Sequence, residues 1–451
     1  MSASLNSGEP DSRTKPASVS PVIDTPQSPS LRGDNFILRG THSVANWLHG
    51  VPKAYWRLSS VEFLFWFATA TGTYLTVFLQ KKGFMPTQVG FINAVNSCVM
   101  IFATPFWGMI ADRMRSIRKV FLFCMCIAAV LWALIPFSST VLVGPLVLMY
   151  LIVPLGSFFR MPANSLLDAF VVQRSDLDKV AYGHVRLWGS ISVAIMNISL
   201  SAILPLTGVE ISFYLYGIAF LPLLIIMWQM KSADGNALGG ERRKALSLKQ
   251  MGFGRLFKNY YFITYLVFAV FMHMPANTSM AFLPYLVAGV GGDTAQLGLV
   301  SGYKALLEIP MLLLMRPLRR KFPLPVAIAG AGVFYSIEAL LYSRANSLIE
   351  ILFIQTLHGL GGGLMIGAAT NYVYSLAPPG LNSTAHTMNG AANAIAAIVG
   401  SLSGGFLIVA IGIRSFYLIA SAVIALALLY FLLSLFIGTK ILKKPIPLSN
   451  K

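Results

Sequence analysis

Two opposite charges, Asp168 and Arg186, stand inside apolar runs on either side of the polar loop QRSDLDKVA, residues 173–181. Each lies about five residues from that loop, so at roughly 1.5 Å rise per residue both sit about one and a half helical turns into an apolar interior. Ionisable residues at such depth usually face an interior cavity, and a functional site is the default reading. There an acid and an arginine on adjacent helices can each hydrogen-bond a polyol or a carboxylate, and neutralise one another when no solute is bound. A purely structural ion pair at the rim is the alternative. Glu308, in SGYKALLEIPMLLL, is a second acid within an apolar run, and Lys304 four residues before it shares its helix face. Glu62 and Arg160 also lie near apolar segments.

A further motif sits between two apolar runs, GMIADRMRSIRK from Gly108 to Lys119. Gly108, Asp112 and Arg113 fit a G-x-x-x-D-R pattern followed by Arg115, Arg118 and Lys119. Glycine lets two helices approach closely. An aspartate at the helix end can pair with a neighbouring helix and release it when packed halves rock, so the three residues are expected to form a gating latch. Plain topological charge is the other reading. The glycines of GLGGGLMIG (359–367) are expected to permit close helix packing or a bend; no strand precedes them and no lysine follows, so they do not form a nucleotide loop. Cys98, Cys124 and Cys126 all fall in apolar runs and are expected to be small buried hydrophobes without disulfides. No metal cluster, nucleophile elbow or nucleotide-binding motif is evident, so no cofactor and no enzymatic activity are expected.

The elements that position these residues follow from composition. The chain has 451 residues, 56% hydrophobic and 11% charged, against roughly 25% charged in a soluble domain. One soluble core cannot hide so much apolar surface, so lipid must serve as solvent for much of it. Twelve apolar segments of spanning length follow residue 50, and the polar stretch 231–258 divides them six and six. The expected fold class is an all-α integral membrane protein with twelve transmembrane helices in two six-helix bundles. Residues 1–50 read as a disordered Ser- and Pro-rich cytoplasmic tail, 51–230 as the first bundle, 231–258 as a cytoplasmic linker, 259–440 as the second bundle and 441–451 as a cytoplasmic tail. The net charge of +18 concentrates on alternate loops and the tails, with Arg344, Arg414 and Lys81–Lys82 as exceptions. That asymmetry orients the chain, both termini inside, in a cell (plasma) membrane, and is no nucleic-acid footprint.

With twelve spans in six plus six, the Gly108–Asp112–Arg113 loop resembles that of the major facilitator superfamily. The eighteen-residue gap from Asp168 to Arg186 and the run YGHVRLWGS resemble the lactose permease-like branch, which comprises proton symporters of oligosaccharides, nucleosides and phenylpropionates. The resemblance implies that Asp168 and Arg186 hold the solute. The tryptophan on which the family's sugar stacks falls at Val193, with Trp188 as a substitute. In the tenth segment, His358 matches a histidine of the family's solute and proton network. The family's proton-carrying carboxylate falls at Gly361, and its ninth-helix arginine at Glu338. A proton site could therefore have moved to Glu338, or to Glu308, whose segment resembles the acid-bearing eighth helix. An acid out of water can pass between charged and neutral forms, as a proton carrier must.

The expected function is secondary active transport, proton-coupled uptake of a small polar organic solute (a sugar, an oligosaccharide or an aromatic acid) by a monomer in a lipid bilayer. Asp168, Arg186, His358 and Trp188 would bind the solute, and Glu308 or Glu338 would carry the proton. A drug or metabolite exporter of the same fold and a non-transporting receptor or scaffold are the rivals. The orientation is directly testable: a cysteine introduced at Ser232 should resist an impermeant thiol reagent added outside intact cells, and ready labelling would reverse the threading.

Overall fold

The structure is a computed structural model that describes residues 53–143, 146–180, 182–230, 256–378 and 381–444. The tail expected over 1–50, nearly all of the linker expected over 231–258 and the last residues of the chain lie outside the described residues.

Helices dominate, and they run in twelve passes. The first is α1 (Lys53–Ala70), a 3₁₀ turn (Thr71–Tyr74) and α2 (Leu75–Lys81). The second is α3 (Pro86–Met114), opened by a proline that needs no N–H donor at that position. The third is α4 (Ile117–Ala133) with the short α5 (Ile135–Ser138). Ser116 caps α4 by accepting from the Lys119 amide. A hairpin of two-residue strands, β1 (Leu142–Val143) with β2 (Leu146–Val147), precedes the fourth pass. That pass is broken at Met161 into α6 (Met149–Arg160) and α7 (Pro162–Leu177). The fifth and sixth are α8 (Tyr182–Thr207) and α9 (Ile211–Gln229), joined through Gly208, whose positive φ of 85° suits a residue without a Cβ.

The second half repeats the plan. Asn259 caps α10 (Tyr260–Ala281), which meets α11 (Leu283–Gly289) at a 49° bend. Then come α12 (Thr294–Lys321), α13 (Leu324–Tyr342), α14 (Leu348–Leu376), α15 (Asn382–Ile411) and α16 (Ile413–Phe436). Among the described residues eight helices are long and apolar enough to cross a membrane, or nine if α10 and α11 count as one span. Of the remaining passes, α4 has only 17 residues and the fourth is cut at Met161 into two shorter helices. Large apolar side chains point outward, among them Phe102, Phe353 and Phe406, each at least 67% exposed. In water that surface would be costly; against lipid tails it is neutral. The protein is an all-helical, multi-pass membrane protein.

α8 packs along α12 and α3 along α15, so each half grips the other. The recorded close approaches gather at the end opposite Lys53 and Lys444. A Cβ on Gly90 would strike the Ser401 carbonyl, one on Gly405 would come within 2.5 Å of the Pro86 carbonyl, and one on Gly298 within 2.7 Å of both the Asn197 carbonyl and the Tyr74 hydroxyl. The Tyr285 hydroxyl donates to the Phe84 carbonyl at 3.3 Å across the same end. Small residues let these backbones touch. In a chain whose three native cysteines are replaced, Gly90→Leu should increase the labelling of a cysteine placed at Asn93 by an impermeant reagent added from that end. Unchanged labelling would show that the contact does not seal the interior.

Candidate functional site

Between the halves lies a cavity of about 440 Å³. The first half contributes Asn93 and Asn96 from α3, Ser157 and Arg160 from α6, and Asn197 from α8. The second half contributes Asn277 from α10, Lys304 from α12, Gln355 from α14 and Ser401 from α15. Its wall is therefore rich in amides and hydroxyls at a depth where polar groups must be satisfied or used. Ser157 donates to the Asn96 side-chain oxygen at 3.1 Å, and Asn197 donates to the Val193 carbonyl at 2.9 Å. Gln355 is fully buried, and neither polar atom of its amide has a hydrogen-bond partner among the described residues.

Arg160 lines this cavity from the end of α6, next to the break at Met161. Its guanidinium carbon lies 4.5 Å from the Trp132 ring centre and 5.5 Å from that of Tyr216, and Nη2 donates to the Thr69 carbonyl at 3.4 Å. A Cβ on Gly72 would collide with the same guanidinium. Lys304 reaches the cavity from the facing half and lies 3.8 Å from Glu308 on the next turn.

The residues singled out from the sequence do not gather around this cavity. Asp168 and Arg186 share a polar cluster in the first half with Glu62 of α1, but are not joined in any recorded ion pair. Asp168 accepts from the Tyr182 hydroxyl at 3.2 Å, and the Arg186 guanidinium stacks 4.2 Å over Trp66. Glu62, fully buried, accepts from the Trp66 indole at 2.9 Å and interacts electrostatically with both. Trp188 turns toward α1 and donates to the Tyr55 hydroxyl at 3.0 Å, so it is no stacking platform here. Val193, the position of the family's tryptophan, does line the cavity, as an aliphatic wall.

His358 is in the other half, apart from Asp168 and Arg186. Its Nδ1 lies 2.9 and 3.1 Å from the two oxygens of Glu338, and both residues are buried. Glu338 thus does not reach back to the membrane surface from its place near the end of α13, because α14 supplies a partner inside. Tyr335 packs edge-on to His358 at 5.2 Å. The residues expected to form one solute site, Asp168, Arg186, His358 and Trp188, lie in two polar clusters in this state, one in each half, with the cavity between. Spacing could not have revealed this, since it places residues along helices but does not fix which helix faces meet. Asn93, Asn96, Asn197 and Gln355 gave no charge signal, but polar amides inside apolar spans were a legible cue.

The glycine-rich run behaves as expected: Gly359 and Gly363 press against Leu307 and Met311 of α12. Gly108 does not, for a Cβ there would meet open space, and the close approach expected of it is absent in this state. Asp112 and Arg113 are exposed and make no side-chain hydrogen bond or ion pair among the described residues. Arg118 does engage, capping the end of α9 through the Trp228 and Met230 carbonyls. Cys126 is exposed rather than buried, and all three cysteines are free.

Comparison with known proteins agrees with the geometry. The chain belongs to the MFS_1 like family, whose model matches residues 55–419. It is 25% identical to the maltose permease of Geobacillus stearothermophilus over 361 residues, covering 80% of this chain and 89% of the permease. With the lactose permease of Klebsiella oxytoca it shares 25% identity over 311 residues, 64% of this chain and 72% of that protein. The fold matches the crystal structure of the nucleoside transporter NupG, at a TM-score of 0.73 and 14% identity over 85% of this chain and 99% of that one. The protein is a membrane transporter of this superfamily and not an enzyme.

The first-half cluster generates a stability prediction. Arg186→Gln would leave Glu62 and Asp168 facing each other without a cation, and losing one member of a buried charge set costs about 3–5 kcal/mol. A sharp fall in thermal stability is expected, with partial recovery in the Glu62→Gln/Arg186→Gln double variant. Normal stability with lost solute binding would instead return the pair to the solute site.

Proposed function

We propose that the protein carries a small polar organic solute, sugar-like in its hydrogen bonding, inward through the central cavity by alternating access and in company with a proton. The observation that carries this reading is the cavity itself: a polar-walled chamber between two halves, sealed at one end by glycine contacts. Amide and hydroxyl side chains suit a polyhydroxylated body, and the maltose and lactose permeases among its relatives support the same class. In this reading Asp168 and Arg186 hold the first half in shape beneath the site, and the Gly108–Asp112–Arg113 loop latches when the halves close at the other end.

Glu338, with His358, carries the proton. Both are buried, they belong to one half, and the proton can be shared between imidazole and carboxylate without leaving an isolated charge in an apolar medium. Glu308 is the linking acid: Lys304 of the cavity wall pairs with it, and a Cβ on Gly362 would lie 3.6 Å from Glu308 Oε1 and 3.5 Å from the Tyr335 hydroxyl. Tyr335 in turn touches His358. A polar route thus joins cavity to proton pair.

Vesicles containing a pH-sensitive dye, challenged with a panel of sugars, nucleosides and sugar acids, will identify the solute. With it, Glu338→Gln should still exchange labelled solute across the membrane but no longer concentrate it under an imposed pH gradient. Glu308→Gln should weaken coupling without abolishing exchange. Normal accumulation by Glu338→Gln would show that the carrier lies elsewhere, and absence of flux for the whole panel would favour a receptor or scaffold.

A further inference from the structure

The charged residues of the cavity wall are both cations, Arg160 and Lys304, and no aspartate or glutamate is among its described lining. Lys304 has Glu308 beside it, 3.8 Å away. Arg160 has no carboxylate within 4 Å among the described ion pairs; two aromatic faces, the Tyr216 hydroxyl and one backbone carbonyl are what it has instead. Cation–π contact offsets part of the cost of withdrawing a guanidinium from water, but it brings no negative charge. The Arg160 Nε–H is buried with no acceptor.

Three further groups at the same wall are unanswered. Asn197 is 1% exposed, and its side-chain oxygen has no donor. Gln355 is 0% exposed, and neither its carbonyl nor its NH₂ is bonded. These groups come from both halves and are closed off from the cavity in this state, so one ligand would meet donors and acceptors on opposite walls once their side chains turn toward it. The volume of about 440 Å³ lies toward the small end of ligand pockets, roughly 300–1,000 Å³.

We infer that the solute is an anion: a small polyhydroxylated molecule bearing one oxyanion, carboxylate or phosphate, which docks on Arg160 while its hydroxyls meet Asn197 and Gln355. The inference rests on the transport reading above and narrows its solute class. The planar guanidinium offers a fork of N–H donors matched to two oxygens of such a group. Gly72 leaves room for that fork beneath the ligand, since any side chain there would displace it. The charge also fixes the electrical character of transport. A monoanion entering with one proton moves no net charge, whereas a neutral sugar with one proton moves one.

The test uses the purified full-length protein and matched pairs: glucose against glucuronate and glucose 6-phosphate, and uridine against uridine monophosphate. Thermal stabilisation and direct binding should favour an anionic member at least about tenfold over its neutral partner, as expected for charge-assisted hydrogen bonds. Comparison of glucuronate with glucose 6-phosphate decides between carboxylate and phosphate. Arg160→Gln should abolish the discrimination, and Arg160→Lys should retain part of it. Gly72→Ala, which keeps the charge but crowds the guanidinium, should lower it, so the result does not depend on one variant folding. With a carboxylate solute, proton-coupled uptake into vesicles should generate little or no current, whereas a phosphate monoester, mostly a dianion at neutral pH, should carry about one negative charge inward with each proton. A neutral member binding as tightly as its anion, with discrimination unaltered in Arg160→Gln, would overturn the inference while leaving sugar or nucleoside transport standing. Failure of every probe to bind or to move would sink the transport reading as well, and the inference with it.

Discussion

Charge inside an apolar medium must be answered locally, and the helices of this protein are arranged around that demand. Each buried ionic group receives a different answer. Glu338 has an imidazole. Arg186 has the Trp66 face and the field of Glu62 and Asp168. Lys304 has Glu308 one turn away, where its partly exposed position makes the pair weak on its own. Arg160 has two rings and a carbonyl. The first two answers are complete within a single half, so those clusters hold their bundles together whichever way the halves tilt. The last two stand at the cavity, where a ligand can add to them.

The contacts between the halves are of another kind. Hydrogen bonds across the sealed end are few, and Gly90, Gly298 and Gly405 place backbone against side chain or carbonyl instead. Contacts of this type depend on shape and dispersion rather than on charge, so parting them strands no ion in lipid. A rocking mechanism benefits from that division: strong polar interactions stay within each rigid half, and the surface that must open is held by packing. The broken fourth pass and the bent α10–α11 pair lie at the same cavity. Non-helical backbone at membrane depth is tolerated where protein or a chamber surrounds it.

Much of this was legible in the sequence. Twelve apolar runs and the polar stretch between the sixes foretold the passes, because lipid forces every span to declare itself in composition. Glu308 beside Lys304 followed from helical spacing alone. What could not be read was rotation. Arg186 lies four residues into α8, but Asp168 sits nine residues before the end of α7, and their side chains meet tryptophan and tyrosine rather than each other at ion-pair distance. Trp188 needed only a turn about its helix axis to face the cavity and instead faces Tyr55. The partner of Glu338 was hidden too, because hydropathy counts residues to a helix end but says nothing of His358 on the adjacent helix. Gly108 matched a motif, yet its close contact belongs to a packing that this state does not display.

In the mechanism we propose, the separation of the solute cavity from the Glu338–His358 pair gives coupling a definite physical form. Lys304 faces the cavity and holds Glu308; Glu308 and the Tyr335 hydroxyl converge on the space above Gly362; Tyr335 lies against His358, which holds Glu338. An anion drawn to Arg160 would also attract Lys304, loosening its hold on Glu308. Glu308 would then act on Tyr335 and His358 as a freer negative charge, favouring protonation of the buried pair. Loss of the proton would reverse the sequence, and by linkage the solute would be held less tightly. Such coupling needs no large rearrangement within the second half, only a shift in which cation Glu308 answers. The same low dielectric that makes each unpaired charge costly makes the exchange of partners consequential, and the rocking of the halves then decides to which side solute and proton are released.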